Sequence, residues 1–193
     1  MRFDHPPRMA AWRHRGAREG FEVVFPRITD SGVLIDGHTT AVEMGRGWSV
    51  DYSIELDGHW RTRAARVSVR DEKGWRTVRL AADGAGRWTV DGAPAPALDG
   101  CVDIDLEASA CTNTFPVHRL PLAEGVDTAA PAAYVHVAVP TVTRLEQRYR
   151  RLPGEGPGYR FDYEAPEFDF RATLEYDAAG LIVDYPGIAV RAR

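Results

Sequence analysis

The chain has 193 residues, of which 44% are hydrophobic and 27% charged, and its formal net charge is −4. These values are typical of one folded domain, and the acidic excess argues against nucleic acid as a partner because phosphate would be repelled. With no signal-like apolar run and no stretch of about 20 apolar residues, the sequence predicts a single cytoplasmic domain over residues 1–193 that does not span a membrane.

Alternation of apolar and polar residues, the mark of half-buried strands, begins at GFEVVFP (20–26) and GVLIDG (32–37). It is clearest in WSVDYSIEL (48–56), where Trp48, Tyr52 and Ile54 share one face. Similar runs follow at RAARVSVRD (63–71), GWRTVRLAAD (74–83) and GRWTVDG (86–92). Asp-Gly and Lys-Gly pairs between the runs predict tight turns, since glycine accepts a positive φ.

The run CVDIDLE (101–107) places Asp103 and Asp105 two residues apart on one face of a predicted strand. If both were buried, their repulsion would raise one pKa, and the pair could serve acid–base chemistry. The simpler interpretation puts them on the solvent face or in ion pairs with arginines such as Arg119. Cys101 and Cys111 are expected to be reduced thiols.

The next segment, CTNTFPVHRL (111–120), does not follow the strand pattern. Threonine and asparagine side chains bond to nearby backbone groups and proline interrupts a strand ladder, so TNT before Pro116 predicts a corner. The alternative is a site, with Asn113, Thr114 and Arg119 pointing into the mouth of a cavity.

The C-terminal third returns to strands at AAYVHVAVP (132–140), YRFDYE (159–164) and GLIVDYPG (180–187). In FDFRATLEY (168–176) the alternation places Phe168, Phe170 and Tyr176 on one face. The segment VTRLEQRYRRL (142–152) is compatible with a short amphipathic helix, but its alternation favours a strand.

These elements predict an all-β fold: a meander of about a dozen largely antiparallel strands, with at most one or two short helices. Open sheets of more than about 10 strands curl or split, so we expect a barrel or half-barrel. The interior of the half-barrel, lined by aromatic residues, must be filled by side chains or by a ligand. The strand count favours a cavity.

Motifs for nucleotide binding, zinc ligation and serine hydrolysis do not occur, and the six histidines are not spaced as ligand pairs. We therefore expect no metal and no cofactor. Rows of aromatic residues usually form a core. They could also line a site for an acyl chain or a sugar ring, with Trp88 at its rim.

Taken in order, WRTRAARVSV, LDGCVDIDL, TNTFPVHRL, EQRYRRL, YRFDYE and FRATLEYDAAGLIVDYPG resemble a bacterial family described as glycolipid-binding proteins, over about residues 12–193. The resemblance implies a barrel-like fold similar to the half-barrels of the lipoprotein localisation factors, with a glycolipid as ligand. Two positions depart from the family pattern, which has proline at Cys111 and a second arginine at His118. If two arginines hold an anionic head group in the family, this chain keeps only Arg119 of the two.

The sequence thus predicts a half-barrel that binds a small amphiphile such as a glycolipid without catalysis. The residues expected to contact this ligand are Arg63, Trp88, Asp103, Asn113, Thr114, Arg119, Tyr149 and Glu175. An alternative is an enzyme acting on a lipid or sugar, with Asp103, Asp105, His118 or Glu175 as acid or base. A structural or partner-binding role is the third possibility, and it would leave the interior filled.

Overall fold

The computed structural model describes residues 3–16, 18–107, 109–154 and 158–192. Most of these residues lie in strands, as the alternation predicts. The strands in chain order are β1 (Ala10–His14), β2 (Arg18–Thr29), β3 (Gly32–Glu43), β4 (Arg46–Asp57), β5 (Thr62–Asp71), β6 (Gly74–Ala82), β7 (Trp88–Val90), β8 (Ala93–Pro94), β9 (Asp103–Leu106), β10 (Asp127–Ala129), β11 (Ala132–Val135), β12 (Val142–Leu145), β13 (Arg148–Arg151), β14 (Tyr159–Ala165), β15 (Phe170–Tyr176), β16 (Ile182–Tyr185) and β17 (Ala189–Arg191).

In the part of the chain that the structure describes, helical structure is confined to short segments. One α-helix, α1 (Thr114–Arg119), follows the 3-10 turn Cys111–Asn113, and two further 3-10 turns span Pro96–Leu98 and Pro166–Phe168. Over the described ranges, no helix has the length and apolar character needed to cross a bilayer.

Fourteen of the strands form one antiparallel sheet in the order β10-β13-β14-β15-β16-β17-β1-β2-β3-β4-β5-β6-β7-β8. The N-terminal and C-terminal meanders join because β1 pairs with β17, where Trp12 lies opposite Arg191. The two ends of this sheet, β10 and β8, do not pair, so it is a half-barrel rather than a closed barrel. The all-β half-barrel prediction is confirmed, although the expected dozen strands fall short of the 17 observed among the described residues.

A segment that we call the insert, residues 96–107 and 109–147 without strand β10, occupies the inner side of this sheet. It contains α1 and a second, three-stranded sheet in the order β12-β11-β9, in which β9 and β11 run parallel. Wall strands from both halves of the half-barrel bond to the insert. Thr62 of β5 accepts a bond from the Ile104 amide, Trp88 of β7 donates to the Cys101 carbonyl, and Tyr176 of β15 donates to the Asn113 carbonyl.

The insert changes the burial of CVDIDLE. All four residues of β9 are buried, so this strand is covered on both faces instead of one. Of the two interpretations given for Asp103 and Asp105, the solvent face is wrong, because the insert places β9 inside the half-barrel. The ion pair with Arg119 is confirmed for Asp103. The interior was expected to hold side chains or a ligand, with a cavity favoured. Residues of the insert such as Ile104, Phe115 and Val117 fill much of it.

Three local predictions have definite outcomes. Residues 142–152 form strands β12 and β13, not a helix. Phe168 lies outside the strand that carries Phe170 and Tyr176, because a 3-10 turn ends at Phe168, and the residue is 51% exposed. The predicted corner is a 3-10 turn that continues into α1, and Cys101 and Cys111 are buried free thiols.

Candidate functional site

A cavity of about 320 Å³ opens at the end of the half-barrel where the β1–β2, β3–β4 and β16–β17 hairpins turn, and we call it the aromatic cavity. The insert closes its inner side. Its lining residues are Arg15, Arg18, Glu43, Asp105, Leu106, Glu107, Ser109, Asn113, Tyr134, Leu145, Tyr163, Ala165, Phe168, Phe170, Tyr185, Gly187 and Ile188. This volume lies at the lower end of the range for ligand sites, about 300–1,000 Å³.

Aromatic rings form much of the cavity wall. The Tyr163, Phe170 and Tyr185 rings pack together with centroid distances of 5.7–6.1 Å, and Tyr134 and Phe168 pack at 5.4 Å. Phe168, half exposed at the cavity mouth, presents apolar surface to anything that enters. Such a wall suits an apolar chain or the face of a sugar ring.

Arg18 dominates the charge at the mouth and is already paired. Its guanidinium contacts Glu43 at 3.1 Å and Glu107 at 3.0 Å, donates to the Glu107 carbonyl at 2.6 Å and lies over the Trp48 ring. Glu107 also accepts a bond from the Val137 amide. The network ties the β1–β2 hairpin to β3 and to the insert.

Asp105 is the buried carboxylate of the cavity. It accepts hydrogen bonds from the Thr112 hydroxyl, at 2.6 Å, and from the Gln147 side-chain amide. Burial raises the pKa of Asp105 to about 6, although these two bonds act in the opposite direction. Among the ion pairs formed by the described residues, none includes Asp105.

Asn113 and Tyr149 are brought together beneath the cavity. The Asn113 side chain lines the cavity and donates to the Tyr149 hydroxyl at 2.8 Å. Tyr149 itself is fully buried and packs on Tyr163. Of the eight residues predicted to contact a ligand, Asn113 lines the aromatic cavity and Tyr149 supports it from below.

The other six predicted contact residues are placed elsewhere. Asp103 and Arg119 form a buried ion pair with each other. Trp88 is buried and donates to the Cys101 carbonyl, and the buried Thr114 hydroxyl has no partner in the described part of the chain. Arg63 and Glu175 are exposed side chains that do not line the cavity. These six residues do not line the aromatic cavity, and their contact with a ligand stays a prediction.

His118, the other departure from the family pattern, is also structural. Its Nε2 donates to the Ala179 carbonyl at 2.9 Å and its ring stacks on Trp60 at 3.7 Å. Burial lowers the pKa of His118 to about 4, so the ring is neutral near pH 7. In the described ranges, no three histidine, cysteine or acidic side chains group as a metal site.

Sequence reasoning missed a third buried carboxylate besides Asp103 and Asp105, that of Glu22. It faces inward from β2 and accepts bonds from the Tyr52 hydroxyl, the Ser109 hydroxyl and the Ala110 amide. Burial raises the pKa of Glu22, and these bonds oppose the shift. The signal in the sequence was a lone acidic residue on the face of β2 that also carries Val24.

A second cavity, of about 350 Å³, lies beside the first, and we call it the adjoining cavity. Glu43 and Glu107 line both. The remaining wall of the adjoining cavity combines hydrophobic and charged residues. The hydrophobic ones are Met44, Trp48, Val69, Val137, Ala138 and Val139, and the charged ones are Arg46, Asp71, Glu72 and Lys73. Met44 and Val139 are 90% and 59% exposed, so this cavity opens widely to solvent.

Comparison with known proteins gives two matches over most of the chain. Residues 9–191 match a family model described as "Putative glycolipid-binding". The crystal structure of a DUF1089 family protein from Pseudomonas aeruginosa has a similar fold, with a TM-score of 0.78 and 35% sequence identity over 89% of this chain and 92% of that chain. No curated protein sequence matches the chain.

Proposed function

The chain belongs to the family that bears the glycolipid-binding description, as its sequence motifs suggest, and we propose that it binds a small amphiphile at the open end of its half-barrel. The polar head group of this ligand sits in the aromatic cavity, and its apolar chain extends into the adjoining cavity. The cytoplasmic location and the single domain remain predictions.

One observation carries this proposal: two neighbouring cavities share Glu43 and Glu107, and each offers apolar surface beside polar groups. The aromatic cavity combines aromatic rings with the buried polar groups of Asp105 and Asn113. The adjoining cavity adds the apolar residues Trp48, Val69 and Val137, next to charged residues at its rim. A molecule with a hydroxylated head and an alkyl chain matches this arrangement, because the head finds hydrogen-bonding groups and the chain finds apolar side chains.

Calorimetric titration with hexyl, octyl and decyl β-glucosides, below their micelle concentrations, tests the proposal. Each buried methylene is worth about 0.8 kcal/mol, so affinity should rise several-fold for each added carbon while the chain still finds apolar wall. Phe168→Ala should weaken binding. Phe25→Ala is a matched control, since Phe25 is 50% exposed and lies in β2 away from both cavities.

Absence of binding by all three glucosides, or equal loss in Phe168→Ala and Phe25→Ala, would contradict the proposal. A protein purified from cells that carries no extractable lipid and binds no glucoside would contradict it as well.

The position and raised pKa of Asp105 support a second candidate function: acid–base catalysis on a ligand of the same class. A cavity carboxyl whose pKa is raised to about 6 can donate or accept a proton near neutral pH. Sugar hydrolysis usually needs two carboxyl groups, however, and the others in the cavity, Glu43 and Glu107, are both held by Arg18. We therefore rank binding first. Release of nitrophenol from nitrophenyl glycosides that is lost in Asp105→Asn would reverse this order.

A further inference from the structure

We infer that Asp105 makes the aromatic cavity selective for an uncharged, polyhydroxylated head group over an anionic one. This inference rests on the proposed function, because it concerns the head group of the same ligand.

The charges in the cavity wall disfavour an anion. Two arginines and three carboxylates line the cavity, which leaves one net negative charge when Asp105 is ionised. Arg18 is held between Glu43 and Glu107, and Arg15 contacts Asp184 at 3.5 Å. An anionic group would lose its water and would meet three carboxylates and two arginines that already have acidic partners, so desolvation opposes its binding.

The arginine that sequence reasoning had assigned to an anionic head is engaged elsewhere. Arg119 donates from Nε and Nη2 to Asp103, at 2.9 and 2.6 Å, and does not line the aromatic cavity. Arg63 is exposed outside the cavity and lies 3.9 Å from Asp57. Neither residue compensates the charge of Asp105.

Asp105 has room for a hydroxyl donor. A carboxylate accepts about four hydrogen bonds, and Asp105 accepts two from protein side chains, those of Thr112 and Gln147. The residue lines the cavity and is 7% exposed. Acceptor capacity therefore remains for a ligand hydroxyl, and a bond to an ionised acceptor is about twice as strong as one between neutral groups.

The surrounding rings complete a site for a polyol. Phe170 and Tyr185 pack at 5.7 Å beside Tyr163 and form an apolar wall next to Asp105 and Asn113. Sugar rings present apolar C–H faces and hydroxyl edges, so one face can stack on the rings while an edge hydroxyl donates to Asp105. A phosphate or sulfate offers no donor in its ionised form.

Two probes with the same chain and different heads test this inference: octyl β-glucoside and octyl sulfate, which stays anionic across the usable pH range. At pH 7.5 we expect the glucoside to bind the wild-type protein at least about tenfold more tightly, since like-charge contact costs more than 1.4 kcal/mol. Asp105→Asn should lower glucoside affinity about tenfold and raise octyl sulfate affinity.

Two further variants keep the test decisive. Glu43→Gln releases one partner of Arg18 and should raise octyl sulfate affinity even if Asp105→Asn does not fold. Glu55→Gln, on an exposed carboxylate outside the cavity, is the control and should change neither affinity.

The outcomes separate the two proposals. If both probes bind the wild-type protein and octyl sulfate binds as tightly as the glucoside, the selectivity is overturned while amphiphile binding stands. If Asp105→Asn folds and leaves the ratio of the two affinities unchanged, the role of Asp105 is overturned. If neither probe binds, both proposals fail.

Discussion

The carboxylate of Asp103 and the guanidinium of Arg119 form a two-point ion pair inside the protein, with Oδ1–Nε and Oδ2–Nη2 distances of 2.9 and 2.6 Å. Asp103 projects from β9 and Arg119 ends α1, so the pair fixes the helix to the inner sheet. The side chains are 1% and 15% exposed. Replacing both residues of a buried ion pair with apolar ones changes stability little. Replacing only one of them is strongly destabilising, because the other charge is left buried and unpaired.

Arg119→Met should therefore lower the free energy of unfolding by about 3–5 kcal/mol, because it leaves the Asp103 carboxylate buried and unpaired. Urea denaturation at pH 7 measures this change. Asp103→Leu combined with Arg119→Met should recover most of the loss. Arg63→Met, at an exposed and long ion pair, should change stability by less than about 1 kcal/mol. Equal destabilisation in the single and double variants would show that the pair is not the cause.

Gly37 leaves space for Tyr52 to reach Glu22. A Cβ atom at Gly37 would lie 2.0 Å from the Tyr52 ring, and Tyr52 donates to Glu22 at 2.5 Å. Gly37→Ala should displace the ring, weaken this bond and lower the free energy of unfolding by about 2–4 kcal/mol. Gly47→Ala on the neighbouring strand is the matched control, since nothing lies within 4 Å of its added Cβ. Similar thermal unfolding midpoints for the two variants would disprove this explanation.

The wall of the half-barrel could be predicted because its strands obey a local rule. In β4, Val50, Tyr52, Ile54 and Leu56 alternate with polar residues and are all buried. The inner sheet breaks that rule for a reason outside its own sequence. β9 alternates as a surface strand would, yet the half-barrel encloses it, and long-range contacts alone decide that both faces are covered.

The site was less predictable than the fold for the same reason. In β2, alternation alone would bury the apolar row of Phe21 and Phe25, but the structure exposes both and turns Glu22 inward. From the sequence, Arg119 could either contact a ligand or form an ion pair with Asp103. Which of two compatible interpretations holds depends on distances between segments far apart in the chain, and these cannot be read from spacing.

His118 should make stability sensitive to acid. Its pKa is lowered by burial from 6.5 to about 4, so between those values the unfolded chain binds a proton that the native state does not. The stability that the neutral ring contributes is present above pH 6.5 and is lost as the pH falls toward 4. The total loss in the free energy of unfolding is about 3 kcal/mol.

Guanidinium denaturation of wild type and His118→Gln across pH 4–8 measures this effect. Glutamine can still donate to the Ala179 carbonyl but does not titrate, so the difference in free energy between the two proteins should change by that amount over the window. His59→Gln, in an exposed turn, serves as the control. A constant difference between wild type and His118→Gln would refute the assignment.

Titration of Asp105 should change stability with pH in the opposite direction to titration of His118. The pKa of Asp105 is raised from 3.8 to about 6, so the native state holds a proton that the unfolded chain has released between those values. Stability therefore falls as the pH rises through this window, and at pH 7.5 the ionised group costs up to about 3 kcal/mol. Asp105→Asn should remove this cost. The asparagine oxygen can accept from Thr112, and its NH2 group can donate to the Gln147 oxygen once the Gln147 amide has turned over.

We expect Asp105→Asn to raise the free energy of unfolding at pH 7.5 and to leave it nearly unchanged at pH 4, relative to wild type. Asp103→Asn is the contrast, since it deprives Arg119 of its charged partner and should be destabilising at pH 7.5. Stabilisation by Asp105→Asn together with weaker glucoside binding would identify a carboxylate kept at a cost in stability because the ligand needs it. Destabilisation by Asp105→Asn at pH 7.5 would instead show that the ionised group supports the fold.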